Sequence, residues 1–366
     1  MRTLVVTNDF PPRPGGIQAY VHSLAVRQPA DEVVVFASSW KGAAGFDAEQ
    51  PFPVVRAKTS VLLPTRGALR QAREIARSER CDRVWFGAAA PLGMLARGLG
   101  LPSVASTHGH EVAWARLPAL RQVLAKVGRD VDALTCLGEY TRSRLAPVMR
   151  APLTDLPPGV DATVFRPGAG GAEVRRKLGL SDRPVVACVS RLVPRKGQDV
   201  LIRALPLIRK RVPAAALLLV GGGPHGARLR ELAASLGVAD DVVMTGSVPW
   251  EELPAHHDAG DVFAMPCRSR YGGLEVEGLG IVFLEASATG KPVVAGRSGG
   301  SPDAVRDGET GYVVDGTSVA DVADRVASLL EDRATAQAMG AAGRAWVERD
   351  WQWDVLAARL RDLLSG

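Results

Sequence analysis

Glu277 and Glu285 stand eight residues apart in the segment EVEGLGIVFLEA, which runs from Glu275 to Ala286. Gly278 and Gly280 break any continuous helix from Glu275, whereas IVFLEASATG reads as a helix that starts near Ile281 and is closed by Gly290. Glu277 then falls in a loop and Glu285 in the second turn of the helix. A glycine loop feeding a helix leaves the first-turn N–H groups unpaired at the positive end of the helix dipole. Gly280, Ile281 and Val282 can therefore receive an anion such as a phosphate, with the two carboxylates beside it accepting from sugar hydroxyls. An exposed surface carboxylate is the simpler alternative for either glutamate.

A second set of groups suits the same chemistry. RLVPRKG follows the apolar run Val185–Val189, placing Arg191 and Lys196 just past a strand's C-terminal end, where open parallel sheets bind ligands. Two cations there suit a diphosphate, which needs charge neutralisation from more than one direction; a solvated loop is the alternative. In the first half, PRPGGIQAY puts Gly15 and Gly16 before a helix, so that the backbone can approach a ligand closely or simply make a tight turn. STHGHEVAW places His108, His110 and Glu111 at another strand exit. The HxH pair lacks a third ligand cluster, so a hydrogen-bonding imidazole is expected rather than a metal ligand, with one of the two histidines structural. Asp130 and Asp132 form a DxD triplet, but between RQVLAKVGR and ALTCL it reads as a helix-to-strand turn rather than a metal site.

These groups need a scaffold that presents strand exits and helix starts side by side. Short β-branched runs alternate with helix-like segments along the whole chain, the pattern of βα units around parallel sheets. The strand candidates are Leu4–Thr7, Val33–Ala37, Arg83–Gly87, Ser103–Ser106 and Ala133–Leu137, then Val185–Val189, Ala216–Val220, Val242–Thr245, Val262–Met265, Pro292–Ala295 and Tyr312–Val314. At 366 residues the chain suits two domains of about 150–200 residues. The Pro- and Gly-rich stretch Thr154–Gly171 marks a boundary near Pro167. The expectation is an α/β protein of two Rossmann-like, doubly wound domains facing across a cleft: residues 1–166, residues 167–345, and a terminal segment 346–366. In that segment Trp351, Trp353, Leu356, Leu360 and Leu363 recur at roughly helical spacing.

With 46% hydrophobic and 23% charged residues the composition is globular. Cys81, Cys136, Cys188 and Cys267 are single and show no CxxC spacing, which argues against a zinc site or a disulfide framework. MRTLVVTNDF lacks the long apolar region of a signal peptide, and no run approaches the ~18 apolar residues of a membrane span. A cytoplasmic protein is expected. Of the net charge of +6, the whole excess lies in the first 165 residues, with 20 Lys/Arg against 14 Asp/Glu; the remainder carries 25 of each. No aromatic-interleaved basic motif or helix-turn-helix pattern points to nucleic acid.

Taken in order, NDFPPRPGGIQ, THGHE, SRLVPRKGQD, LLLVGGGP, TGSVPWEEL, EGLGIVFLEA and SGGSPDAVRDGETGYVV resemble glycosyltransferase family 4, whose members have the GT-B fold. The resemblance implies transfer of a sugar from a nucleotide-sugar with retention of configuration and no required metal or other cofactor. It implies that Glu277 touches the donor sugar, Glu285 the ribose, and Arg191 and Lys196 the diphosphate. Gly15 and Gly16 match a loop near the phosphate, Val248 a base contact, and His110 the family histidine near the donor sugar. It also implies a donor-binding second domain, an acceptor-binding first domain, and a terminal helix that returns to the first domain.

Within the family, TNDFPPRPGGIQ, THGHEVAW and LEVEGLGIVFLEA are most similar to the actinobacterial mannosyltransferases of phosphatidylinositol mannosides. That similarity implies GDP-mannose as donor and a glycolipid acceptor at the inner face of the cell membrane. A soluble aminocyclitol or natural-product acceptor with a UDP-sugar donor is the alternative. Arg66, Arg70, Arg73, Arg77 and Arg80 recur every three or four residues and on a helix would form a basic stripe for anionic lipid, unless they are a solvated face beside Glu74 and Glu79.

Overall fold

The computed structural model describes residues 1–366, which form two compact units: Met1–Gly159 with Trp353–Gly366, and Val160–Gln352. The first holds a seven-stranded parallel sheet of β1 (Thr3–Thr7), β2 (Val33–Ala37), β3 (Val54–Arg56), β4 (Arg83–Phe86), β5 (Ser103–Ser106), β6 (Ala133–Cys136) and β7 (Leu153–Asp155), in the order β3-β2-β1-β4-β5-β6-β7. Thr3 pairs with both Val33 and Arg83, setting β1 between β2 and β4.

Side chains alternate across this sheet, as the pleat requires. Leu4, Val6, Val34 and Phe36 pack on one face with Ala72 and Ile75 of the helix Arg66–Ser78 and Leu124 and Val127 of the helix Pro118–Asp130. Val5, Val33, Val35 and Trp85 pack on the other with Tyr20, Val21 and Leu24 of the helix Gly16–Ala25. The C-terminal helix Trp353–Ser365 covers that second face through Leu356, Leu360 and Leu364. It is held by Gln28 Nε2 donating to the Ala357 carbonyl at 3.0 Å and by Arg27 on Asp354 at 2.9 Å.

The second unit holds a six-stranded parallel sheet of β8 (Val185–Val189), β9 (Ala216–Val220), β10 (Val242–Gly246), β11 (Val262–Met265), β12 (Val293–Gly296) and β13 (Gly311–Val314), in the order β10-β9-β8-β11-β12-β13. The chain winds outward in one direction from β8 and in the other from β11, so the loops after these two strands flank a topological switch point. The helices Gln198–Arg211 and Val319–Glu331 bury Leu201, Leu205, Val322 and Val326 in the core.

Two features depart from the sequence reading. β3 and β7 have no counterpart among the expected strands, being three-residue, half-buried edge strands with no apolar run to mark them. The units also divide at 159/160 and 352/353, against the expected 166/167 and 345/346. Val160, Ala162 and Phe165 lie in the second unit's core, and Trp346 and Val347 of the long helix Arg333–Asp350, with its C-cap Trp351, finish that same core. The Val160 N–H donates to the Trp351 carbonyl at 2.8 Å, so the two chain segments entering and leaving the unit are bonded together.

Candidate active site

At the switch point of the second unit, the loop leaving β8 turns through Pro194–Lys196 into Gly197, the N-cap of the helix Gln198–Arg211. Gly197 has φ +78°, and a Cβ there would lie 2.0 Å from the Pro266 carbonyl oxygen, so only glycine lets this loop reach the exit of β11. The buried Gln198 amide donates to Ser190 Oγ at 2.8 Å and to the Arg191 carbonyl at 2.9 Å, fixing the backbone that carries both cations. The Arg191 side chain is exposed and makes no ion pair. Lys196 is only 8% exposed, and its Nζ lies 2.6 Å from Glu277 Oε2.

Glu277 arrives in the loop after β11, as its flanking glycines suggested, and is itself only 7% exposed. Its backbone N–H donates to Ser298 Oγ at 3.2 Å, and its carbonyl accepts from Gly300 N–H at 3.0 Å. The loop of Ser298, Gly299, Gly300 and Ser301 after β12 thus fixes the backbone that carries Glu277. A second cation, Arg195, stands 3.5 Å from the same Glu277 oxygen and 3.7 Å from Glu275, which also takes Arg270 at 3.0 Å. Arg195, Gln198 and Ser298 lie within the quoted motifs SRLVPRKGQD and SGGSPDAVRDGETGYVV, but the sequence reading gave them no site role. Arg195 was visible only as a third charge in RLVPRKG, and Ser298 only as a polar residue after the next strand, β12.

Gly280, at φ +84°, caps the helix Ile281–Ala288 with no side-chain capping bond, so the first turn, including Ile281 and Val282, opens at the loop. Phe283 and Leu284 anchor that helix in the core. Glu285 follows in the second turn, its side chain 13% exposed and its Oε2 3.3 Å from His257 Nε2. Val248, half-buried, packs on the core just beyond β10. It joins this edge through a chain of loops: Leu192 N–H donates to the Gly222 carbonyl at 2.9 Å, and Gly222 backs onto Ser247. Arg191, Lys196, Glu277, Gly280, Ile281, Val282, Glu285 and Val248 therefore share the C-terminal edge of one sheet, with Lys196 and Glu277 in direct contact.

Gly15, Gly16 and His110 belong to the first unit. Gly15, at φ +155°, caps the helix Gly16–Ala25, and a Cβ there would strike Gln18 Oε1 at 2.1 Å. Gln18 in turn donates to Asp9 Oδ1 at 2.7 Å and so holds the loop after β1 against the helix start. Of the two histidines, His108 is the structural one. Its Nε2 lies 2.6 Å from the Gly87 carbonyl, and burial, partly opposed by the Glu111 charge, lowers its pKa below the usual 6.5. His110 leaves 41% of its side chain exposed and stacks over His108. Glu111 supports both: it is fully buried, accepts the His108 backbone N–H at 2.9 Å, and sets its other oxygen 3.5 Å from His110 Nε2.

Asp130 and Asp132 are taken up in the turn that the sequence suggested. Asp130 pairs with Lys126 at 2.5 Å, and Asp132 accepts from the Ser103 N–H and Oγ at 2.8 and 2.9 Å. Arg66, Arg70, Arg73 and Arg77 are exposed along one face of the helix Arg66–Ser78, opposite buried Ala68, Ala72 and Ile75. Arg80 is not on that stripe, because the helix ends at Ser78 and Arg80 takes a left-handed φ of +54°.

Comparison with known proteins accords with this geometry. Residues 14–164 match Glycosyltransferase Family 4, and residues 172–346 match Glycosyl transferases group 1. The chain is 53% identical to the GDP-mannose-dependent alpha-(1-6)-phosphatidylinositol monomannoside mannosyltransferase of Mycobacterium tuberculosis, over 100% of this chain and 98% of the relative. It is 46% identical to the GDP-mannose-dependent monoacylated alpha-(1-6)-phosphatidylinositol monomannoside mannosyltransferase of Corynebacterium glutamicum, with the same coverage. Among solved structures, Anabaena Alr3699/HepE in complex with UDP superposes with a TM-score of 0.83 at 19% identity, over the whole of both chains. Sucrose-phosphate synthase from Thermosynechococcus elongatus does so at 0.75 and 21%, over 99% of this chain and 98% of that one; these two likenesses speak to the fold. The chain belongs to the glycosyltransferases of family 4, with two Rossmann-like domains of the GT-B kind.

Proposed function

We propose that this glycosyltransferase moves mannose from GDP-mannose to a hydroxyl of a phosphatidylinositol mannoside, with retention of anomeric configuration. The observation that carries this reading is the 53% identity, along the full chain, to an enzyme named for that donor and that acceptor class. Breaking the sugar–phosphate bond develops negative charge on the leaving diphosphate and positive charge on the sugar ring. Arg191, Lys196 and the open first turn at Gly280, Ile281 and Val282 supply the positive field for the diphosphate, each such donor contributing roughly 3 kcal/mol in the transition state. Glu277 accepts from the sugar's hydroxyls and Glu285 from the ribose, with neither acting as the nucleophile. Gly15 and Gly16 let backbone approach the phosphate, His110 attends the donor sugar, and Val248 meets the base. Retention without a covalent carboxylate is met by a front-face route in which the leaving phosphate helps deprotonate the acceptor.

The acceptor is a lipid, and no helix of the chain is long and apolar enough to cross a membrane. The reading therefore includes peripheral contact with anionic lipid at the inner face of the cell membrane, through Arg66, Arg70, Arg73 and Arg77. Exposed Lys58, Val61 and Leu63 lie in the segment leading to that helix, and together with Arg70 they line one shallow cavity. Basic and apolar groups side by side suit a headgroup layer. A thermal-shift panel of GDP-, UDP- and ADP-sugars tests the donor, because a ligand that binds the native state raises its melting temperature. GDP-mannose is expected to give the largest shift, and a larger shift with a UDP-sugar would overturn the donor assignment.

A further inference from the structure

His257 is not among the sequence-derived site residues. It lies on the short helix Leu253–Asp258 and is 1% exposed. Its ring stacks on Phe263, with centroids 5.3 Å apart and planes at 23°, and meets Phe165 edge-on at 5.7 Å. Phe263 itself meets Phe283 edge-on, so the imidazole occupies one place in a run of phenylalanines. A phenyl ring would fill that place with no polar group to satisfy, whereas an imidazole brings two nitrogens that must find partners or remain a cost. Neither ring nitrogen makes an aligned hydrogen bond, yet Nε2 stands 3.3 Å from Glu285 Oε2. A fully enclosed polar atom is thus aimed at the carboxylate of Glu285, whose side chain keeps 13% of its surface open to solvent.

We propose that His257 is a positioning residue that sets Glu285 for the ribose of the donor, an inference that rests on Glu285 being the ribose acceptor. The terminal torsion of a glutamate is broad and roughly two-fold, so packing alone leaves the plane of its carboxylate loosely defined. A small rotation of Glu285 aligns the Nε2–H with Oε2. That single bond from the core side fixes the carboxylate plane, and the outward oxygen and the remaining lone pairs then face the two ribose hydroxyls together. Second-layer support of this kind holds a binding group within the narrow geometry it needs.

The test measures binding of GDP and of 2′,3′-dideoxy-GDP by calorimetry to the full-length wild type, His257→Phe, Glu285→Ala and the double variant. His257→Phe is expected to keep the melting temperature, since the ring slot stays filled, and to weaken GDP about tenfold while leaving the dideoxy nucleotide unchanged. In the Glu285→Ala background the same substitution is expected to add nothing, and His257→Gln, which keeps a donor, is expected to restore most of the affinity for GDP. Equal weakening of both nucleotides by His257→Phe, or full additivity with Glu285→Ala, would show a merely structural role and overturn the proposal. An undiminished preference for GDP over the dideoxy nucleotide in Glu285→Ala would instead remove the ribose assignment on which it rests. If His257→Phe melts too low to assay, His257→Gln is compared with His257→Met, and equal affinities for GDP would overturn the proposal in the same way.

Discussion

Lys196 Nζ and Glu277 Oε2 are 2.6 Å apart, with each side chain at most 10% exposed, so the cation assigned to the diphosphate and the carboxylate assigned to the sugar form one buried pair. Their loops leave β8 and β11, strands that are neighbours in the sheet, which is why residues 81 positions apart in the chain meet.

That pair makes the two obvious substitutions unequal. Lys196→Ala leaves Glu277 facing Arg195 at 3.5 Å, so the fold is expected to survive while turnover falls by about 10²–10³-fold, the cost of one lost transition-state donor. Glu277→Ala is expected to stop transfer and also to lower the melting temperature, because it strands Lys196 without a carboxylate. Steady-state rates and melting curves check this together; equal melting temperatures for the two variants would contradict the described pairing.

Gly280→Ala is expected to cost about 1–3 kcal/mol of stability, because a Cβ disfavours the left-handed region and Phe283 cannot withdraw. The added atom would lie 2.5 Å from Phe283 Cε2, on a side chain fully buried in the core. Urea unfolding reads the loss and nucleotide titration reads the weaker donor binding. An unchanged midpoint would mean that the loop has another conformation.

His108 carries a pH dependence. Burial, the largest cause, depresses its folded pKa below 6.5, so the unfolded chain binds the proton more readily than the folded one. The resulting stability is fully present above about pH 6.5 and is lost as the pH falls toward the depressed value, with a slope of at most about 1.4 kcal/mol per pH unit for one proton. The urea midpoint of the wild type is therefore expected to fall more between about pH 7.5 and pH 5.5 than that of His108→Gln. Parallel pH profiles would contradict the assignment of His108 as the buried, neutral member of the pair.

Charge reversal at Arg70 and Arg77 tests the lipid-facing surface. Both are exposed on one helix face and neither forms an ion pair, so Arg70→Glu with Arg77→Glu leaves the fold alone. At about 1 kcal/mol per basic residue near an anionic surface, sedimentation with phosphatidylserine vesicles at low salt is expected to weaken tenfold or more. Unchanged sedimentation would remove this helix from the membrane contact.

The sequence made the central strands readable because they are buried runs of Val, Leu and Phe, and it located Glu277 in a loop and Glu285 in a helix because Gly278 and Gly280 disfavour a continuous helix from Glu275. It concealed β3 and β7, whose three residues each are half-buried at the sheet edges. It placed the divide between units by composition, whereas the chain divides where Phe165 and Trp351 find a core. The support beneath the site was the least visible part. Gln198, Ser298 and His257 act across 8, 21 and 28 positions of sequence, on Ser190, Glu277 and Glu285 respectively, and a contact of that range has no local signature.

The most direct measurement of the central claim is transfer itself. The purified protein is incubated with radiolabelled GDP-mannose and vesicles containing phosphatidylinositol monomannoside, and the lipid product is analysed for label and anomeric configuration. The expected result is a labelled dimannoside lipid with α-linked mannose, whose rate of formation falls by about 10²–10³-fold in Lys196→Ala. An absence of label in the lipid, together with turnover of a UDP-sugar onto a water-soluble acceptor, would contradict it.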